Sequence, residues 1–149
     1  MADYPEKGAT RPDPMAFGRG LSAGLGINLL VSDVDRAGRF GVEVLGATIV
    51  YWEEHFAIMS ALGSIWQLHS DWTYRDHELR GAVEGVEVRG SGAELRLYGA
   101  DPDAAVRRAR AWGADVLSAA LDKPHGLREA HIIDPDGYIW VPSVALPKD

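Results

Sequence analysis

The sequence predicts an α+β fold: two βαβββ modules in tandem, forming a curled mixed sheet around a cleft, with helices on the outer face. Three observations lead there. Apolar runs flank Asp134-Pro135-Asp136-Gly137, where Asp134 can bond its own backbone, Pro135 presets φ and Gly137 tolerates a left-handed exit, so residues 128–133 and 138–143 read as one antiparallel hairpin. A helix-opening motif occurs twice, as Asp33-Val34-Asp35 and Asp101-Pro102-Asp103, at an offset of 68 (101 − 33). A helix-stop motif follows each copy, Leu45-Gly46-Ala47-Thr48-Ile49 and Trp112-Gly113-Ala114-Asp115-Val116, at an offset of 67 (112 − 45). Recurrence in phase, with one residue deleted from the second helix, marks two diverged copies of one unit.

In order, residues 1–22 carry Pro5, Pro12, Pro14, Gly8, Gly18 and Gly20 without any period and read as an extended leader. Residues 23–149 form the domain, with module 1 at about 25–70, a linker at about 71–91 and module 2 at about 92–145. Residues 25–31 are a short strand. Ser32 or Asp33 then caps a helix whose stripe of Val34, Ala37, Phe40, Val44 and Leu45 is apolar at helical spacing, until Gly46 ends it. Strands at 47–52, 56–62 and 64–69 complete the first copy, with Gly63 in the last tight turn. A charged, Gly-bearing loop spans 70–88. The second copy then runs through a strand at 93–98, a helix opened by Asp101 with Pro102 at its first position, and a strand at 114–117 before the hairpin.

Composition narrows the function. The chain has 149 residues, one domain's worth, with 15 basic and 22 acidic residues and a net charge of −7. Without a Lys/Arg cluster it suits neither nucleic acid nor an anionic membrane, and favours a neutral or cationic small partner. It has no cysteine, which excludes disulfides, thiolate metal sites and cysteine nucleophiles. Neither a signal-like start nor a run of membrane-spanning length is present, so a cytoplasmic location is expected.

The wording of the last hairpin, Gly126-Leu127-Arg128-Glu129 followed by Asp134-Pro135-Asp136-Gly137-Tyr138, resembles that of the vicinal-oxygen-chelate superfamily, which includes glyoxalase I, extradiol dioxygenases and bleomycin-resistance proteins. Val31-Ser-Asp-Val-Asp35, Phe40 with Val44-Leu-Gly-Ala47, and Asp103-Ala-Ala105 with Trp112-Gly-Ala114 extend the resemblance from about residue 25 to 144. The resemblance implies metal ligands on the first and fourth strands of each copy. Those positions fall on Gly26, Gln67, Glu94 and Val141, and Gly and Val offer no donor. No cofactor is therefore expected. The alternative is a divalent Fe, Mn, Ni or Zn ion held by Gln67, His69 and Glu94.

Alternation along strands then names a cleft: Glu94 brings Arg96 and Tyr98, Gln67 brings Ile65 and His69, Gly26 brings Asn28 and Leu30, and Val141 brings Ile139. Trp72 and Tyr74, just past the first copy, are candidates to stack on a planar ligand at the mouth. His125 and Arg128 border the cleft from the last hairpin, while His77 reads as a loop residue and His55 and His131 as parts of the sheets. The expected function is binding a small organic molecule, aromatic or cationic, in the manner of the drug-sequestering members the resemblance brings in, by a homodimer. The alternative is a lyase, isomerase or dioxygenase, either metal-dependent or using Glu94 as a base with a pKa raised by burial.

Overall fold

Each half of the chain folds as a βαβββ unit in the computed structural model, which describes residues 2–148. A short helix α1 (Pro14–Arg19) lies in the leader. The first module is β1 (Asn28–Val31), α2 (Val34–Glu43), β2 (Thr48–Glu53), β3 (Phe56–Ala61) and β4 (Ser64–Ser70). After a helical linker containing α3 (Glu78–Val83) comes the second module, β5 (Glu94–Tyr98), α4 (Pro102–Trp112), β6 (Asp115–Asp122), β7 (Leu127–Ile133) and β8 (Ile139–Ala145). The sheets have equivalent orders, β1-β4-β3-β2 and β5-β8-β7-β6. In each, the strand before the helix pairs parallel with the last strand of its unit, and the other pairings are antiparallel. No helix among the described residues is long and apolar enough to cross a membrane.

Local chemistry accounts for the helices. Asp33 accepts a hydrogen bond from Arg36 N (3.1 Å) and Asp101 one from Ala104 N (3.0 Å), satisfying donors that an α-helix leaves open at its start. Gly113 ends α4 at φ +86°, where other residues are strained. Leu29, Val31, Trp66, Leu68, Ala57 and Met59 point from the first sheet towards α2, and Leu97, Ile132 and Trp140 from the second towards α4. All belong to one core, closed where Trp66 and Trp140 meet with ring centroids 5.2 Å apart. The helix-bearing faces converge, and the two sheets remain separate rather than closing on each other.

The Asp134–Gly137 turn does more than join two strands. Asp136 O accepts from Arg89 N (3.0 Å) and Gly137 O from Gly90 N (3.2 Å), so the end of the linker lies against the turn. Asp136 Oδ1 accepts from Ser32 N (2.9 Å) and the Tyr138 hydroxyl donates to Leu30 O (2.9 Å), which fastens the turn to the first module. Arg89 adds a bidentate pair with Asp71 (2.6 and 2.8 Å) and a bond to Leu30 O (3.1 Å). Gly137 sits at φ +85°, and a Cβ there would lie 2.4 Å from Val88 Cα and 2.5 Å from Glu87 O. Glycine is required by both conformation and space.

Several elements differ from the sequence reading. The first strand begins at Asn28 rather than residue 25: Leu25 is 94% exposed, and the bonding to β4 starts where Ile27 O accepts from Gln67 N. The strand read as 114–117 runs on to Asp122, where pairing with β7 overrides the weak strand preference of Ser118-Ala119-Ala120. The loop after β4 is partly helical, with a 3-10 turn at Asp71–Tyr74 and α3 capped by His77 Nδ1, which accepts from Leu79 N (3.0 Å). The leader is not wholly extended either: Asp13 caps α1 through Ala16 N (2.8 Å), with Pro14 in its first turn.

Candidate functional site

On the face of the first sheet away from α2, strand register lines up two rows. Glu53, Phe56, His69 and Leu30 form one, and Tyr51, Ile58, Gln67 and Asn28 the next. The His69 ring lies 5.0 Å from Phe56 and meets Tyr74 edge-on at 5.5 Å. Burial pushes the His69 imidazole below its usual range, so it is neutral at pH 7, and its Nε2 has no hydrogen-bond partner. The Tyr51 hydroxyl donates to Glu53 Oε2 at 2.8 Å. Above this floor is a cavity of about 440 Å³, floored by Tyr51, Glu53, Phe56, Gln67 and His69 and walled by Pro12, Pro14 and Phe17 of the leader, with Arg11, Thr73 and Tyr74 at its edges. A second, larger cavity of about 740 Å³ adjoins it through Gln67, between residues 20–28 and residues 63–67. Neither contains a residue of the second module.

The corresponding face of the second sheet carries a charged cluster. Arg96 donates to Glu94 (2.8 Å) and to Glu129, His131 Nε2 lies 2.8 Å from Glu94, and His125 Nε2 lies 3.3 Å from Glu129. The Glu94 carboxyl is held below its ordinary range by the hydrogen bonds from His131 and then Arg96. Burial opposes ionisation of Glu129, but Arg96 and His125 outweigh it and keep that carboxyl low as well.

Two tandem units, separate sheets of matching order and a pocket on the face opposite the helices can be compared with known proteins. No protein-family model and no curated protein matches the chain in sequence. Solved structures do match in shape. A glyoxalase/bleomycin resistance protein/dioxygenase from Nocardioides superposes with a TM-score of 0.63 at 22% identity, over 91% of this chain and 93% of its own. The fold is that of the glyoxalase/bleomycin-resistance proteins. A glyoxalase-related enzyme from Fulvimarina pelagi (TM-score 0.65, 20% identity, 83% of this chain and 88% of its own) and a family enzyme from Burkholderia phytofirmans (0.65, 19%, 80% and 96%) share it.

Within this glyoxalase-type fold the residues named from sequence divide. Asn28 lines the larger cavity, Gln67 both, and His69 and Tyr74 the smaller one. Trp72 lines neither: it is 54% exposed, stacked on His55 at 4.5 Å with the Arg75 guanidinium 3.9 Å from its ring. Glu94, Arg96 and Tyr98 lie on the other sheet and His125 in the turn before β7, so they do not face Gln67 and His69 across a cleft within one chain. Glu94 is not a base of raised pKa, because its carboxylate is partly exposed and bonded to two donors. Arg128 belongs to neither face: it shares parity with the core residues Ala130 and Ile132, and it pairs with Asp103 on α4 (2.7 and 2.8 Å) and with Asp122 (2.8 Å).

The metal positions implied by the resemblance do not fit an ion. Gly26 and Val141 lack donor atoms, Glu94 is committed to Arg96 and His131, and Gln67 lies in cavities that Glu94 does not reach. Among the described residues no group of three or more His, Cys, Asp or Glu is placed to hold one. Within one chain the alternative set of Gln67, His69 and Glu94 is not brought together, because Glu94 lies on the other sheet.

Sequence reasoning missed Tyr51, Glu53, Phe56 and the leader wall. A bulge between Ile49 and Tyr51 leaves Val50 exposed and shifts the alternation of β2, so counting from residue 47 gives the wrong face. Glu129 was legible, because it is one residue from the apolar Ala130 and two from His131.

Proposed function

We propose that the protein binds a small organic molecule, aromatic and neutral or cationic, on the exposed face of its first sheet, without a metal ion. The observation that carries this is the cavity of about 440 Å³, apolar and aromatic with a few convergent polar groups, a Gln amide, a neutral imidazole and a carboxylate, and with Arg11 and Thr73 at its edges. That mixture and size are typical of small-molecule sites. Binding is favoured over turnover because Glu94, kept ionised well below neutrality, is a weak general base. A homodimer is part of the reading: the edge strand β6 leaves Leu117 and Leu121 61% and 53% exposed, and an unpaired apolar edge favours association. The test uses proflavine, a flat tricyclic cation whose fluorescence changes on binding. Saturable binding at one site per chain, weakened about tenfold by Tyr74→Ala, is expected. Elemental analysis after dialysis against Ni, Zn, Mn and Fe should find well below one ion per chain. Absence of saturable binding, or a stoichiometric ion, would refute the reading.

A further inference from the structure

The leader wraps the first sheet. Tyr4 stacks on Trp52 (5.6 Å, 19°) on the helix side, where its hydroxyl meets Glu43 and the Arg39 guanidinium lies 4.6 Å from its ring. Trp52 Nε1 donates to Pro5 O and Gly8 N donates to Trp52 O, both at 2.8 Å, so the chain rounds the edge strand β2. It then passes over the opposite face: residues 11–17 lie above β2, β3 and β4, and residues 20–26 continue to β1 beside the turn at Gly63. The far end is fixed where Ile27 O accepts from Gln67 N (3.0 Å).

Between these two anchors the attachment is of a different kind. Among the described residues, no hydrogen bond joins residues 10–26 to the rest of the chain. Those they make close inside the segment: Ala16 N and Phe17 N to Asp13, Gly20 N to Ala16 and Phe17, and Leu21 N to Gly18. The outer side is solvent-facing, with Met15, Leu21 and Leu25 61%, 49% and 94% exposed. Gly8 precedes the segment at φ +73°, and Gly20, Gly24 and Gly26 follow α1, while Pro12 and Pro14 stiffen the piece between them. A stiff, self-bonded piece between permissive joints, fixed at both ends, moves as a unit rather than unravelling.

We infer that residues 10–26 are a strap forming the outer wall of the ligand cavity, in which Pro12, Pro14 and Phe17 contact a flat aromatic ligand, and that the strap lifts to admit it. This rests on the binding reading above. The cavity between Phe17 and the prolines on one side and Tyr51 and Phe56 on the other suits a planar ring, because rings line both walls. Specificity at the ring's edge comes from Glu53 and Gln67. Glu53 Oε2 accepts from Tyr51, and Oε1 has no hydrogen-bond partner among the described residues, so N–H groups on the ligand are favoured over acceptors.

The experiment is stopped-flow and equilibrium titration of proflavine into the full chain, with four variants. Phe17→Ala should weaken binding about tenfold, Met15→Ala on the outward side of the same helix should leave it unchanged, and Tyr4→Ala, which removes the stacked part of the first anchor, should raise association and dissociation rates together by about tenfold. As a readout that does not depend on a variant's folding, saturating proflavine should slow tryptic cleavage after Arg19 in the wild-type chain. If Tyr74→Ala weakens binding while Phe17→Ala does not and cleavage after Arg19 is unaffected, the strap is overturned and the binding reading stands. If proflavine does not bind the wild-type chain, both fall.

Discussion

Gly137 and Gly113 make a matched pair for testing how the two modules are held together. Their φ values are +85° and +86°, so an alanine at either suffers the same left-handed penalty of about 1–2 kcal/mol. Their surroundings differ. A Cβ at Gly113 meets nothing within 4 Å, whereas at Gly137 it would fall 2.4 Å from Val88 Cα and 3.0 Å from Arg89 N, backbone atoms that cannot rotate away. Forcing that backbone apart adds about 1–3 kcal/mol and breaks the bonds from Arg89 N and Gly90 N. Gly113→Ala should therefore cost about 1–2 kcal/mol and Gly137→Ala about 2–5 kcal/mol in urea unfolding. At roughly 3 °C per kcal/mol for a chain of this size, the melting temperatures should separate clearly. Equal losses would show that the linker does not grip the turn, and that its packing contributes nothing to joining the modules.

Other outcomes follow from the charged groups. Burial pushes the Asp134 carboxyl up to about 6, despite the hydrogen bonds it accepts from Trp140, Tyr138 and Asp136. A folded pKa above the unfolded one gives stability that is full at low pH and lost as pH rises, here between about pH 4 and 6 and by up to about 3 kcal/mol. The difference in unfolding free energy between wild type and Asp134→Asn should show that slope, and a flat difference would contradict it. Arg96→Met leaves Glu129, whose side chain is 6% exposed, without its cation, and should cost about 1–3 kcal/mol, much of it recovered by adding Glu129→Gln. Urea unfolding of the single and double variants checks this. Sedimentation equilibrium at micromolar concentration should give a dimer, shifted towards monomer by Leu117→Lys with Leu121→Lys; a wild-type monomer would count against the association.

The sequence carried the architecture because it states it twice. Asp33 and Asp101 cap equivalent helices, and Gly46 and Gly113 stop them, so each copy corroborates the other. Parity worked on regular strands: Gln67 and His69 share a face, as do Glu94 and Arg96. It failed at β2, where one bulge leaves Val50 exposed and exchanges the faces of Tyr51 and Trp52, and a bulge leaves little trace in an apolar run such as Ala47-Thr-Ile-Val-Tyr-Trp52. The environment of Glu94 was misread for a different reason. Desolvation was inferred from a cleft shared by the two modules, but the helix faces meet in a common core and leave that carboxylate at an open face. The leader's course was invisible because it depends on Trp52, which looks like any core tryptophan until its Nε1 and carbonyl are seen holding Pro5 and Gly8.

Amide and side-chain chemical shifts recorded during a proflavine titration test the location of the site most directly. The account predicts saturating changes at Tyr51, Glu53, Phe56, His69, Thr73 and Tyr74, together with Phe17 in the leader, and unmoved signals from Glu94, Arg96 and His131. Changes confined to the second sheet's charged face would contradict it.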